Sequence, residues 1–178
     1  TEEVDQSDRR NRYTYDKVGR LLTAKNALDL ATTYSYDEAG NLTSITTPSG
    51  AKTSMDYTRL DQLKTITSPR GRKAEMTYDP VGQLTKRTIN GQRETSYTYD
   101  PNGNLLEETN PLGQVTKRTY DSLNRMTSES DTAGQLTLYS YDHDNHVTKV
   151  MNEAGGEASM TYDGNGNLTS VTAGRERV

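Results

Sequence analysis

Cysteine, tryptophan and phenylalanine are all absent from the 178 residues, and there are only two histidines. The lack of Cys excludes disulfides, thiolate zinc sites and Cys nucleophiles, and it leaves the redox compartment undecided. Leu, Ile and Val together number 26, which argues against a thick hydrophobic core. No apolar run approaches the ~20 residues of a membrane span. Charge of one sign is also lacking. There are 21 Lys and Arg against 25 Asp and Glu, for a net charge of −4 and an isoelectric point near 5.3. That balance argues against a nucleic-acid arm or an anionic-membrane surface, and it is too small to hold a chain open by self-repulsion. Thr1-Glu2-Glu3-Val4-Asp5 has neither a basic start nor an apolar stretch, so no signal peptide is expected.

What is present is a period. Tyrosine recurs at Tyr15, Tyr36, Tyr57, Tyr78, Tyr99, Tyr120, Tyr141 and Tyr162, always 21 residues apart. Asp follows directly as Asp16, Asp37, Asp79, Asp100, Asp121, Asp142 and Asp163, with Thr58 the exception. Four places after each tyrosine stand Gly19, Gly40, Asp61, Gly82, Gly103, Asn124, Asn145 and Gly166, the residue types that most easily take positive φ. Six places after it stand Leu21, Leu42, Leu63, Leu84, Leu105, Met126, Val147 and Leu168, a wholly apolar column.

The Asp-x-x-Gly segment reads as a type I turn. Asp accepts a backbone N–H two residues on, and Gly supplies the left-handed exit. The same grammar returns ten residues later. Asn26, Thr47, Ser68, Asn110, Asp131 and Asn152 open it, and Gly50, Gly71, Gly113, Gly134 and Gly155 close it. Ile89 breaks that column, and repeat four carries the hairpin signal Asn90-Gly91 instead. Two turns per period leave about thirteen residues, enough for two strands of the commonest length. No 3.6-residue apolar period points to a helix. The expected fold is all-β: one hairpin per repeat, strung into an antiparallel meander.

Two residues before each repeat tyrosine stand Tyr13, Tyr34, Met55, Met76, Tyr97, Arg118, Tyr139 and Met160, with small or polar residues between. One face is therefore a stack of Tyr and Met and the other is short and wet. Ile45, Ile66, Val150 and Val171, three places after the leucine column, break strict alternation, as a bulge would. Stacking identical columns spreads burial thinly along the array. Sixteen strands at ~4.8 Å would span about 75 Å if flat, and open sheets rarely exceed ~10 strands without curling, so a curved sheet is expected. Residues 1–12 read as a lead-in strand and residues 13–178 as eight repeats in one continuous sheet. The ends read as open edges of an excerpt from a longer array, which would permit edge-to-edge self-association.

These columns resemble the Rhs/YD-repeat family, whose motif is Tyr-x-Tyr-Asp-x-x-Gly-(Arg or Asn)-Leu-Thr. Tyr34-Ser35-Tyr36-Asp37-Glu38-Ala39-Gly40-Asn41-Leu42-Thr43 matches throughout, and residues 13–21 and 97–105 match nearly as well. The resemblance covers about residues 12–175. It implies a hollow β-shell, as in bacterial Rhs proteins, toxin-complex subunits and teneurins. In the bacterial members that shell encloses a C-terminal toxin before delivery. The implied partners are the rest of the same shell and an enclosed toxin domain. The implied location is secreted, at the cell surface, or delivered by a bacterial secretion system. Asp79-Pro80-Val81-Gly82-Gln83 and Asp100-Pro101-Asn102-Gly103-Asn104 look like the family's self-cleaving core but lack its Leu after Gly, so no protease is assigned. Thr58 and Asp61 in repeat three, and Arg118 and Asn124 in repeat six, depart from the motif.

Other candidate sites have plainer explanations. Asp163-Gly164-Asn165-Gly166-Asn167 starts like a calcium loop, but Leu168 and Gly174 stand where an EF-hand needs Gly and Glu. His143 and His146 lack a third ligand and fall in a turn expected to be solvated. Glu107 and Glu108 point to opposite faces of a strand and cannot share a proton. No G-x-S-x-G occurs, and neither histidine has a phased nucleophile. Asn41-Leu42-Thr43 and Asn167-Leu168-Thr169 match the glycosylation acceptor pattern as by-products of the repeat. No catalytic residue, metal or cofactor is expected. Two functions remain open: a structural segment of a toxin-encapsulating shell, or a surface adhesin binding carbohydrate through its aromatic rows.

Overall fold

The computed structural model describes residues 2–4 and 10–175. Among them there is no helix; the expected all-β hairpin array is what forms. The chain divides into two compact units, Thr1–Arg93 and Glu94–Val178. The first holds β1 (Glu2–Val4), β2 (Arg10–Tyr15), β3 (Leu21–Lys25), β4 (Ala31–Tyr36), β5 (Leu42–Thr46), β6 (Lys52–Tyr57), β7 (Leu63–Thr67), β8 (Lys73–Tyr78) and β9 (Leu84–Ile89). The second holds β10 (Arg93–Tyr99), β11 (Leu105–Thr109), β12 (Val115–Tyr120), β13 (Met126–Ser130), β14 (Leu136–Tyr141), β15 (Val147–Asn152), β16 (Gly156–Tyr162) and β17 (Leu168–Arg175). Within each unit every strand pairs antiparallel with its sequence neighbour.

The turns follow the two-turn grammar. At the tyrosine edge, the Gly19 amide donates to the Asp16 carbonyl (3.2 Å), and Asp16 Oδ1 accepts the amides of Val18 and Arg20. All eight residues of the fourth column have positive φ, including Asp61 (58°), Asn124 (60°) and Asn145 (71°). Thr58 performs the aspartate's task with a hydroxyl: Oγ1 accepts the amides of Leu60 and Gln62 at 3.2 Å. Repeats three and six therefore keep the common turn despite their substitutions. At the opposite edge Asn90 and Gly91 both have positive φ, as a type I′ turn demands.

A bulge follows every tyrosine-edge turn. In β4–β5, Tyr36 pairs with Leu42, but Ser35 pairs with Ser44 and Tyr34 with Ile45, so Thr43 is the extra residue. The slip puts Leu42 and Ile45 on the same face as Tyr34 and Tyr36, which accounts for the broken alternation seen in the sequence. All eight residues between the paired aromatic positions, from Thr14 to Thr161, are exposed, while the tyrosines and methionines beside them, Tyr15 apart, are half-buried.

No hydrophobic side chain among the described residues is fully buried; the two buried residues are Ser44 and Thr65. Both sit on the face expected to be wet. They are small, and each is paired on both sides, Ser44 with Ser35 and Ser54, Thr65 with Asp56 and Glu75.

Candidate functional site: the seam between hairpins

The distinctive feature of the array lies between hairpins. Inside each hairpin the backbone ladder runs up to the tyrosine-edge turn. Between hairpins it stops short: β3–β4 pairs Lys25 with Ala31 through Thr23 with Thr33, and ends before it reaches Leu21. The carbonyls of the leucine column lie beyond this ladder. Unsatisfied half-buried carbonyls are costly.

The repeat tyrosines supply the missing donors. Tyr36 Oη donates to the Leu21 carbonyl, Tyr57 to Leu42 and Tyr78 to Leu63, at 2.8–3.0 Å. In the second unit Tyr120 donates to Leu105, Tyr141 to Met126 and Tyr162 to Val147, again at 2.8–3.0 Å. Each bond reaches back into the preceding hairpin. Burial first, and then the nearby Asp37 carboxylate, pushes the Tyr57 phenol up, which keeps it in its donor form. Tyr15 and Tyr99 stand on the first tyrosine-bearing strands of their units, where they pair with Leu21 and Leu105. Leu84 pairs with Tyr78, and Leu168 with Tyr162.

A second stitch comes from a column that sequence reasoning treated only as part of the family motif, five places after each tyrosine. Arg20 Nε bonds Asp16 Oδ2 in its own turn at 2.6 Å, and its Nη1 reaches the Asp37 carbonyl of the next at 3.2 Å. Its guanidinium lies 4.9 Å from the centre of the Tyr36 ring. Arg125 repeats this with Asp121, the Asp142 carbonyl and the Tyr141 ring at 4.7 Å. Asn41 bonds Asp37 and then Asp61; Asn104 bonds Asp100 and then Asn124; Gln62 reaches the Gly82 carbonyl. The column was hard to see because its members share polarity and reach but not a residue type.

The fourth-place residue of the next turn completes the stitch. Where it is Asn or Asp, as at Asp61, Asn124 and Asn145, its side chain accepts a hydrogen bond from the preceding repeat. At Gly82 and Gly166 the preceding side chain occupies the space a Cβ would take, and at Gly40 it borders that space. Such an atom would lie 3.4 Å from Arg20 at Gly40, 3.0 Å from Gln62 at Gly82 and 2.8 Å from His146 at Gly166. Glycine there serves both the turn and the neighbouring repeat.

These contacts hold the turn carboxylates ionised. Asp16 and Asp121 lie below the ordinary value, chiefly because they accept the backbone N–H of Arg20 and Arg125. In Asp100 and Asp163 the first cause is the side-chain amide of Asn104 and Asn167. In Asp37 and Asp142 desolvation pushes up, and the combined donors at Asn41 and His146 outweigh it.

Other candidates resolve into this seam. Asp163 Oδ1 is taken by the amides of Asn165 and Asn167, the pattern of the turns that Asp16 and Asp121 open. The Asn41 and Asn167 amide nitrogens donate to turn aspartates, so a glycan on either would displace a stitch. His143 is fully solvated, but His146 corrects the expectation of a solvated turn: its ring stacks on Tyr162 at 4.5 Å and 21°. Arg118 breaks the aromatic row by pairing with Glu129 at 2.9 Å on the same face.

The sequence matches the Teneurin YD-shell family over residues 74–177 and the RHS Repeat family over residues 15–52 and 36–73. No curated protein matches it in sequence. Among solved structures, a Photorhabdus luminescens Tc holotoxin pore carrying the mutation TccC3-D651A aligns over 96% of this chain, with TM-score 0.69 and 17% identity. A TcdB2-TccC3-TEV crystal structure aligns over 94%, with TM-score 0.61 and 22% identity. The chain spans 12% and 9% of those two chains. Their likeness shows a shared fold, and with the family matches across the phased repeats it leads to one conclusion: this chain belongs to the YD-shell family of Rhs-type repeats.

Proposed function

We propose that this chain is a wall segment of a YD-type shell that encloses a toxin polypeptide for delivery from the cell. The observation that carries this reading is the seam. Within each unit, successive hairpins are tied by a tyrosine hydroxyl and by polar stitches from one turn to the next, so the wall extends by addition without a central core. The family is a structural shell repeat, and the matched structures include a Tc holotoxin pore. The proposed partners are neighbouring repeats and an enclosed polypeptide. An aromatic platform for glycans finds less support. Only Tyr15 among the tyrosines is exposed, and six of the repeat tyrosines already use their hydroxyls on backbone carbonyls.

Limited proteolysis of the full-length polypeptide containing this segment tests the proposal. The enclosed region should resist digestion while the wall is intact and become sensitive when Tyr57→Ala and Tyr141→Ala open two seams. Cleavage of that region at the rate of the free polypeptide, with the wall intact, would contradict it.

A further inference from the structure

His146 occupies the stitch position that is Arg, Asn or Gln in every other repeat. Arg stays charged at all relevant pH values and the amides stay neutral, whereas an imidazole changes charge between pH 5 and 8. The side chain bonds its own turn and packs against the next repeat. Nδ1 lies 3.1 Å from Asp142 Oδ2, the ring stacks on Tyr162, and Nε2 lies 2.8 Å from where a Cβ on Gly166 would stand. Tyr162 in turn donates to the Val147 carbonyl at 2.9 Å. We propose that His146 is a pH-responsive latch that tightens the seam between the β14–β15 and β16–β17 hairpins on acidification.

The sign follows from the groups around the ring. Asp142 bonds it directly, Tyr162 of β16 lies under it, and Asp163 opens the turn that contains Gly166. Asp144 and the solvated His143 share its own turn. The opposing charge is Arg125, whose Nη1 binds the Asp142 carbonyl and Asn145 Oδ1. Arg125 already has Asp121 as its ion-pair partner, and its attachment to this turn is through neutral oxygens. The directly bonded Asp142 carboxylate therefore decides the balance. Protonation turns the Nδ1–H contact into a charge-assisted bond and gives the stacked ring the cation–π attraction that Arg20 and Arg125 have with Tyr36 and Tyr141. The Asp142 carboxyl is held below its ordinary value, so it remains ionised while the imidazole charges.

Hydrogen exchange of the whole chain, read by NMR as protection factors corrected for intrinsic exchange, tests the latch. Between pH 7.5 and 5.5, amides of the β15–β16 ladder should gain roughly threefold to tenfold in protection relative to those of β12–β13. His146→Arg should hold the high value at both pH values, His146→Asn should be flat, and His143→Asn should behave as the parent does. Equal or falling relative protection in the parent, or a full response in His146→Asn, would overturn the proposal. If His146→Asn does not fold, the Tyr162 ring resonances of the parent decide: they should titrate together with the His146 imidazole, and independence would overturn it.

Discussion

At the residue scale, the fourth place of the tyrosine-edge turn carries two constraints at once. Gly40 has φ of 100°, and a Cβ there would stand 3.4 Å from Arg20 Nη1. Gly40→Val should therefore cost about 1–3 kcal/mol from backbone strain, with Arg20 Nη1 already at contact distance from the new Cβ. Gly40→Asn should cost less, because Asn124 and Asn145 already adopt positive φ at this place. Thermal melts of the two variants check the order. The tyrosines divide into ring and hydroxyl. Tyr57→Phe removes the bond to the Leu42 carbonyl and should cost about 1–3 kcal/mol, since that carbonyl is left unpaired. Tyr57→Ala should cost more, on the scale of aromatic truncations, about 3–5 kcal/mol. Denaturant midpoints separate them; equal losses would show that the hydroxyl does nothing. The turn chemistry was legible in the sequence because each turn residue acts within its own turn. The hydroxyl's partner was not, because it lies in the preceding hairpin, on a carbonyl left open only when the inter-hairpin ladder ends early.

At the scale of the element, the unit is a hairpin with a bulge and a capping carboxylate. The alternation of Tyr34 and Tyr36 announced the face, and the misplaced Ile45 announced the bulge. The stitch made by Arg20, Asn41 or Gln62 needed the structure, because its signal is a pairing with the turn of the following repeat. The carboxylates give the hairpins a definite pH dependence. Asp16, Asp37, Asp100, Asp121, Asp142 and Asp163 all lie below the ordinary value of 3.8. A depressed folded value means the stabilisation is present above the unfolded value and disappears as pH falls below it through the folded values. Melting temperature should therefore hold down to about pH 4–5 and then fall steeply. Asp100→Asn keeps the Oδ1 acceptor while removing the charge, so it should flatten part of that fall. A melting temperature rising below pH 4 would contradict the turn assignments.

At the scale of the whole molecule, repetition takes the place of a core. Because side-chain direction alternates with period two, the array tolerates only insertions and deletions that keep its phase. Excision of residues 37–57, one full period, should leave a β-rich chain that melts cooperatively. Excision of residues 37–56 should not, since Tyr36 and Tyr57 would then be adjacent and their side chains would point to opposite faces. Circular dichroism distinguishes the two. The most direct measurement of the central claim, that each hairpin is held by its neighbour through a side-chain seam, is residue-resolved hydrogen exchange along the chain at neutral pH. Protection should rise and fall once per repeat, with comparable maxima in the hairpins of each unit. One contiguous block of strong protection, with the remaining repeats exchanging freely, would contradict it.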